Sequence, residues 1–371
     1  MIHHYQNRHA IKIRLAFPVI LISLIILILG CHRTNEQYPV VLIRADTASR
    51  VDVLIDGKLF TALLYGPSLA KPVLFPVLSP AGTPVTRGFP LAPRPGERTD
   101  HPHQAGVWLT HGDVNGFDFW NNSYLIPRER KHRYGRIMVE SVETGTGVDR
   151  LPFILSRAGW YVPDSSLEHW TRLLDEESKY LFIDKGATRI IERQIRLKAG
   201  EQKVLFRDNK EGFFAIRVAR ALEMPSDQPL LLTDARGNPA DVPVMDNTGV
   251  NGMYENSEGI TGSDVWAKRA RWMKLTSVVA GDSITLVMFD HPHNPGHPAY
   301  WHARPYGLFS CNNLGVKALS NGSDSLNLEL GPGEEAHFKF RLIVHSGTFL
   351  TNQDIENEYT EFIETGRDQE H

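Results

Sequence analysis

The sequence predicts a mainly β fold, a large antiparallel β-sandwich with a short C-terminal helix, and three observations predict it. Short β-branched or aromatic segments bounded by Gly, Pro, Asn or Asp recur along the chain, several alternate apolar and polar residues, and clear helical spacing is confined to one stretch near the C-terminus. The 23 prolines and 30 glycines among 371 residues suit many turns and long connections.

In chain order, Arg8, Lys12 and Arg14 precede the apolar run "LAFPVILISLIILILG", Leu15 to Gly30, which ends against Cys31. The run is shorter than the roughly 20 residues a spanning helix needs. A small residue followed by cysteine at its end is the pattern of a bacterial lipoprotein leader. Residues 1–30 are therefore read as a signal peptide, Cys31 as the lipidation site, 31–39 as a tether and 40–371 as one sandwich domain. This places the protein at the cell envelope, and Arg33 two places after Cys31 favours the outer membrane. An uncleaved N-terminal anchor is the alternative.

The first hairpin is "VDVLIDGKLFTALL", in which Asp56-Gly57 separates two β-rich runs. The segments 136–143, 179–184, 188–198, 211–220, 283–290 and 336–345 read as further strands. In the last, Phe338, Phe340, Leu342 and Val344 share one face, with His337, Lys339 and Arg341 on the other. "NQDIENEYTEFIET" sets Ile355, Tyr359, Phe362 and Ile363 at helical spacing, whereas "SSLEHWTRLLDEE" is ambiguous. No linker or fixed-period repeat divides the chain. The Pro/Gly-rich segment 79–98 is read as a long ordered loop, the kind that carries function in compact domains.

A net charge of −3 with 22% charged residues argues against nucleic acid as a partner, and the basic cluster "RERKHRYG" (128–135) reads as a solvated loop. With Cys31 committed to lipid, only Cys311 remains, so neither an intrachain disulfide nor a cysteine metal site is expected. Nothing in the sequence sets an oligomeric state. Gly-rich dinucleotide, P-loop, nucleophile-elbow and His-Glu-x-x-His motifs are absent.

The chemistry concentrates in an uncommon tetrapeptide used twice. Asp-His-Pro-His occurs at 100–103 and again at 290–293. The proline biases the preceding histidine to an extended conformation, so the two imidazoles should lean to one side of the chain. Asp100 and Asp290 could each orient one imidazole by a hydrogen bond. His111, Asp113 and Asn115 follow the first copy, and His297 and His302 the second. If both copies meet across one cleft, His103 and His291 form an acid–base pair, with His101 and His293 beside them. The same four histidines are also the candidate ligands of a divalent metal. Otherwise no cofactor is expected.

Trp108, Trp120 and Trp301, with Asn115, Asn121 and Asn122, make a palette suited to stacking on sugar rings and reading hydroxyls. A third stretch, "RDNKEGFFAIRVAR", sets Glu211 at a strand mouth and Arg217 on a face of small residues, where it could bind a carboxylate or sugar hydroxyls.

The stretches "DHPHQAGVWLTHGDVNGFDFW", "DNKEGFFAIRVAR" and "FDHPHNPGHPAYWHARPYGLF" resemble, in order and spacing, the PmoA-like family of bacterial proteins, over about Val40 to Gly347. In that family the first motif continues with His-Arg where this chain has Gln104 and Ala105, which removes position 104 from the catalytic set and leaves Asp100, His101, His103, Trp108, His111, Asp113 and Asn115 as matches. The family name suggests a methane monooxygenase subunit, but no apolar run after residue 30 reaches even 18 residues, too short for the spans such a subunit needs. The resemblance implies instead an exported protein of polysaccharide-degrading bacteria, with a supersandwich like that of galactose mutarotase-like enzymes, which use a histidine and a carboxylate as acid and base. The resulting expectation is a lipid-anchored enzyme acting on a sugar or glycoside by hydrolysis, elimination or epimerisation, with His111, Glu211 and Arg217 near the substrate and Trp108 and Trp301 stacking on it. A metal-dependent enzyme built on the same histidines and a non-catalytic glycan-binding lipoprotein are the alternatives.

Overall fold

The computed structural model describes residues 41–46 and 49–364. The signal segment, Cys31 and the tether lie outside the described residues. Two eight-stranded antiparallel sheets dominate. The first runs, in spatial order, β1 (Val41–Asp46), β2 (Arg50–Ile55), β3 (Lys58–Leu64), β4 (Val73–Val77), β5 (Val107–His111), β11 (Gly212–Arg217), β16 (Leu308–Asn312) and β15 (Tyr300–Trp301). The second runs β12 (Met253–Asn256), β13 (Trp272–Val279), β14 (Asp282–Asp290), β18 (Glu335–Gly347), β9 (Thr188–Ala199), β8 (Trp170–Asp184), β7 (Pro152–Pro163) and β6 (Arg136–Thr146). A small pair, β10 (Val204–Phe206) with β17 (Leu328–Leu330), and two α-helices, α1 (Val316–Leu319) and α2 (Asn352–Glu364), complete the list.

Period-2 alternation explains the sandwich. Phe338, Phe340, Leu342 and Val344 of β18 turn into a core shared with Phe214, Ile216 and Phe309 of the first sheet, and the Phe214 and Phe340 rings stack across it at 4.9 Å. Each such ring stabilises the fold by roughly 1.5–3 kcal/mol through removal from water. The opposite face of the second sheet presents Ile343, Trp272, Val287 and Phe289, which α2 covers with Ile355, Tyr359 and Phe362. Those helical residues are the ones the sequence spacing picks out, with Ile363 packed at the edge. At the first hairpin Asp56 and Gly57 both have positive φ (49° and 75°) and Ile55 pairs with Lys58, the tight primed turn expected of Asp-Gly. The ambiguous segment 165–177 resolves as a turn followed by β8. Among the described residues no helix is long and apolar enough to cross a membrane.

The outer face of the first sheet matters most for function. There Trp108 of β5 lies beside Ala215 of β11 and Leu308 of β16 opposite Arg217, in one cluster with Val73, Phe75 and Trp120. The long loop between β4 and β5 and the connection between β15 and β16 run over this part of the fold.

Candidate functional site

Arg87, unremarked in the sequence, organises the first tetrapeptide. Its guanidinium is buried and donates to the carbonyls of Asp100 (2.8 Å), His101 (2.9 Å) and Gln104 (2.9 Å), and to the Asp100 carboxylate (2.8 Å). One planar fork thus fixes four acceptors of a loop that has no strand ladder to hold it. The clamp also overrides the extended conformation expected before proline: His101 has φ of +45°, and Gln104 N–H closes a turn onto its carbonyl. A left-handed histidine is strained, and such strain persists where surrounding bonds over-determine it.

Arg217 enters from β11 beneath this loop. It donates to Asp100 Oδ1 (2.5 Å) and to Gln104 Oε1 (2.5 Å), and its guanidinium lies over the Tyr306 ring at 4.8 Å. Arg217, expected to bind a carboxylate or sugar hydroxyls, is engaged by the chain's own Asp100. Gln104, set aside on the motif comparison, is a structural partner of the site. Burial opposes ionisation of Asp100, but the hydrogen bond from His101 and the charges of Arg217 and Arg87 outweigh it and hold the carboxyl well below its usual range. The Asp100 carboxylate lies beside its tetrapeptide neighbour, Oδ2 3.2 Å from His101 Nδ1. His101 stacks almost parallel on Tyr306 at 5.0 Å and remains exposed on its other parts.

Glu211 sits one residue before β11, at the strand mouth. Burial raises its carboxyl above the ordinary range, only partly offset by Lys210. The preceding carbonyl, Lys210 O, receives His302 Nδ1 at 2.7 Å and Asn312 Nδ2 at 2.8 Å. A carbonyl can only accept, so His302 carries its proton on Nδ1 and, when neutral, presents Nε2 as a lone pair. Burial lowers His302 to about 4. His302, Glu211 and Asp100 all lie close enough to His101 to respond to its charge.

The two tetrapeptides do not share a cleft. His103 lines a cavity of about 560 Å³ with Lys71, Tyr124, Tyr134 and Trp170. His291 and His293 line another, of about 530 Å³, against β7, β8, β9 and β18. Among the described residues no hydrogen bond, ion pair or ring contact joins 100–104 to 290–294, and no group of three or more His, Cys, Asp or Glu is placed to hold a metal ion. The pairing of His103 with His291, and a metal shared by His101, His103, His291 and His293, are thus corrected by topology: one copy leads into the first sheet and the other leaves the second. Asp290 bonds to neither histidine of its own tetrapeptide. It is fully buried and accepts from Asn294 Nδ2 (2.7 Å), Asn313 Nδ2 (2.9 Å), His297 Nδ1 (2.8 Å) and Ala299 N (2.8 Å). His291 packs edge-on against Phe362 of α2 and accepts the His293 backbone N–H on Nδ1.

Other expected site residues are structural. Trp108 and Trp301 are both fully buried, Trp301 donating to Ala270 O at 2.9 Å, so neither can stack on a sugar. His111 is also fully buried, donating Nε2–H to Arg207 O at 2.7 Å between the rings of Phe206 and Phe213. Asp113 pairs with Arg207 at 3.1 Å, and Asn115 braces β10 through Leu205 N (2.7 Å) and Lys203 O (3.1 Å). Of the expected set, His101, Asp100, Glu211, Arg217 and His302 gather at one place. The second motif contributes through its tail, 302–306, and through Tyr306, which sequence reasoning missed; only its seat beside His302 could have flagged it.

Burial lowers His111, His291 and His302 to about 4 and His103 to about 2. An unfolded histidine titrates near 6.5, so between about pH 6.5 and 4 the unfolded chain binds protons that the native chain refuses. Stability from these groups is present above pH 6.5 and is lost as pH falls through that window. Fully buried His111 alone should contribute a slope approaching 1.4 kcal/mol per pH unit. Urea midpoints measured from pH 7.5 to 4.5 should fall steadily; a flat profile would contradict the burial of these rings.

One family model matches residues 50–360, that of DUF6807, a family of unknown function. The match is to this family and not to one under the PmoA-like name. No curated protein matches. Among solved structures, the chain is similar to a galactose mutarotase-like protein from Clostridium acetobutylicum (10% identity, TM-score 0.34, covering 84% of this chain and all of that one). It is also similar to a Synechocystis protein (11%, TM-score 0.31, covering 83% and 96%). A third is the galactosidase domain of an α-galactosidase–sucrose kinase (8%, TM-score 0.36, covering 83% of this chain). The chain spans only 42% of that last protein.

Proposed function

The chain belongs to the DUF6807 family, and from that premise we propose that it is an enzyme acting on a sugar or glycoside by acid–base chemistry, with Glu211 as acid and His302 as base. One arrangement carries this reading: Glu211 at the mouth of β11 and His302, whose Nδ1 is fixed on Lys210 O at 2.7 Å, both lie beside His101, and burial shifts their proton affinities in opposite senses. Ordinarily a histidine holds its proton more tightly than a glutamate does. Here burial raises Glu211 and lowers His302 to about 4, so the carboxyl stays available as a proton donor, and the imidazole is kept in its free-base form, over a wider range of pH. Groups whose environments push their proton affinities apart are the signature of an acid–base pair.

The shared step is a proton taken by His302 Nε2 and a proton delivered by Glu211 to an oxygen. In elimination the first comes from carbon and the second goes to the leaving glycosidic oxygen; in anomeric epimerisation one leaves the anomeric hydroxyl and the other reaches the ring oxygen. His101, oriented by Asp100 and stacked on Tyr306, is positioned to hydrogen-bond a hydroxyl. His103, whose ring meets that of His101 at 5.6 Å, lines a cavity of about 560 Å³, within the ordinary range for small-molecule sites, about 300–1,000 Å³. The leader ending at Cys31 supports a lipid-anchored enzyme of the cell envelope, meeting glycans there. A glycan-binding surface without catalysis is less well supported, because the tryptophans it would rely on, Trp108 and Trp301, are buried.

The test is incubation of the purified protein with neutral glycans and with oxidised (keto) glycosides, followed by mass spectrometry of the products and NMR of anomeric exchange. Turnover of at least one class is expected. Binding without any change in ligand mass or anomeric ratio, even at long times, would replace the enzyme by a binding protein.

A further inference from the structure

The cavity beside His103 has an unusual charge makeup. Lys71, Lys131 and Arg136 line it together with Tyr124, Tyr134, Trp170 and Asn122, and no Asp or Glu is among its lining residues. No carboxylate pairs with these cations among the described residues, and burial lowers Lys71 to about 7, so a bound anion would favour its charged form at neutral pH. Lys71, almost wholly buried, donates to the carbonyls of His103 (2.8 Å) and Trp120 (3.5 Å), and Arg136 donates to those of Pro67 and Leu69 (2.8 Å to the latter). Among the described residues neither they nor Lys131 forms an ion pair. The nearest carboxylate to influence Lys71 is Asp118, which is engaged with Trp120 N, Asn121 N and Asn121 Nδ2. Buried charges are ordinarily paired. Lys71 is buried and Arg136 half-buried, and both stop at backbone carbonyls with a cavity in front of them and no carboxylate partner among the described residues.

The basic stretch 128–135 gains a role here. It forms a short 3-10 helix over Arg128–Arg133 with no buried residue, and it carries Lys131 to the cavity rim. Arg128, Arg130 and Arg133 likewise form no ion pair among the described residues, and with Glu129 the one carboxylate of this helix, its net charge is positive.

We infer that this cavity is a subsite for an acidic sugar residue, whose carboxylate or sulfate ester meets Lys71, Lys131 and Arg136 while Tyr124 and Trp170 face its ring. The aromatic rings and Asn122 favour a sugar over a bare anion, since they offer C–H stacking faces and hydroxyl readers that an inorganic ion does not use. The inference rests on the carbohydrate reading above and deepens it: the natural substrate is an anionic glycan, held by its charge beside His103 with the reacting bond towards His101 and Glu211.

The probes are trigalacturonate and its methyl ester, a sulfated carrageenan tetrasaccharide and its desulfated form, and inorganic sulfate, each titrated calorimetrically into the purified protein at low salt. At least one acidic oligosaccharide should bind ten times or more tighter than its neutral counterpart, with the advantage shrinking as salt is raised. Which pair shows the difference separates a carboxylate from a sulfate ester. Lys131→Gln, on the exposed rim, should cut the acidic affinity at least threefold and leave the neutral affinity within error. Equal affinity within both pairs would overturn the anionic subsite while leaving the carbohydrate reading intact. Inorganic sulfate binding as tightly as the sulfated sugar, or no binding of any oligosaccharide, would overturn it as a sugar site. The carbohydrate reading is judged separately, by turnover and its loss in the Glu211 and His302 variants.

Discussion

Glu211→Gln and His302→Ala are each expected to lower turnover at least a hundredfold per folded molecule, Glu211→Gln with a folding midpoint close to that of the unaltered chain and His302→Ala with a lower one, because a buried ring and its bond to Lys210 O are lost. General acid–base groups contribute about 10²–10⁴ in rate, and glutamine keeps the shape of Glu211 while losing its transferable proton. The pH profile should distinguish the two. Activity requires His302 neutral and Glu211 protonated, so the rate should fall on the acid side as His302 gains its proton near pH 4. On the alkaline side it should fall as Glu211 loses its proton, at a pH above the usual carboxylate range because burial raises that group. In Glu211→Gln the alkaline limb should vanish from the residual activity. The double variant should be little worse than either single one, because the two groups act in one step. Full turnover in either single variant, once a substrate is known, would remove that residue from the mechanism.

The strands, their alternation and the C-terminal helix were legible because they follow from local periodicity. β18 and α2 could be read residue by residue, down to Phe338 facing the core and Phe362 facing the sheet. Glu211 at a strand mouth was legible for the same reason, since the polar run 207–211 turns abruptly into an apolar one. What could not be read is what lies across from each loop. Arg87 fixes the first tetrapeptide from 13 positions away, and Tyr306 reaches His101 from another sheet connection; neither partnership leaves a periodic trace. Nor does composition tell a tryptophan that faces a ligand from one that fills a core. Trp108 and Trp301, beside histidines in the sequence, are both buried. The repeated Asp-His-Pro-His is the sharpest case. The same four letters hold a strained, exposed histidine where Arg87 and Arg217 surround the aspartate, and a turn anchored on a fully buried aspartate where Asn294, Asn313 and His297 surround it.

That difference yields the second large effect. Asp290→Ala should destabilise the fold by about 3–5 kcal/mol, the range found when one partner of a buried charged network is removed. Its carboxylate satisfies four donors, and Asn294, Asn313 and the Ala299 N–H are buried, so each is left unpaired or must admit water into a dry turn. Asp290→Asn should cost less, because one oxygen can still accept from the two asparagines, while its new NH2 opposes the Ala299 N–H. Urea unfolding of the three proteins measures the order directly. Turnover per folded molecule should stay near that of the unaltered chain in both variants, since no hydrogen bond or ion pair links Asp290 to Glu211 or His302 among the described residues. Loss of turnover with unchanged stability would be the opposite result. It would return the second tetrapeptide to the catalytic machinery, where the sequence alone had set it.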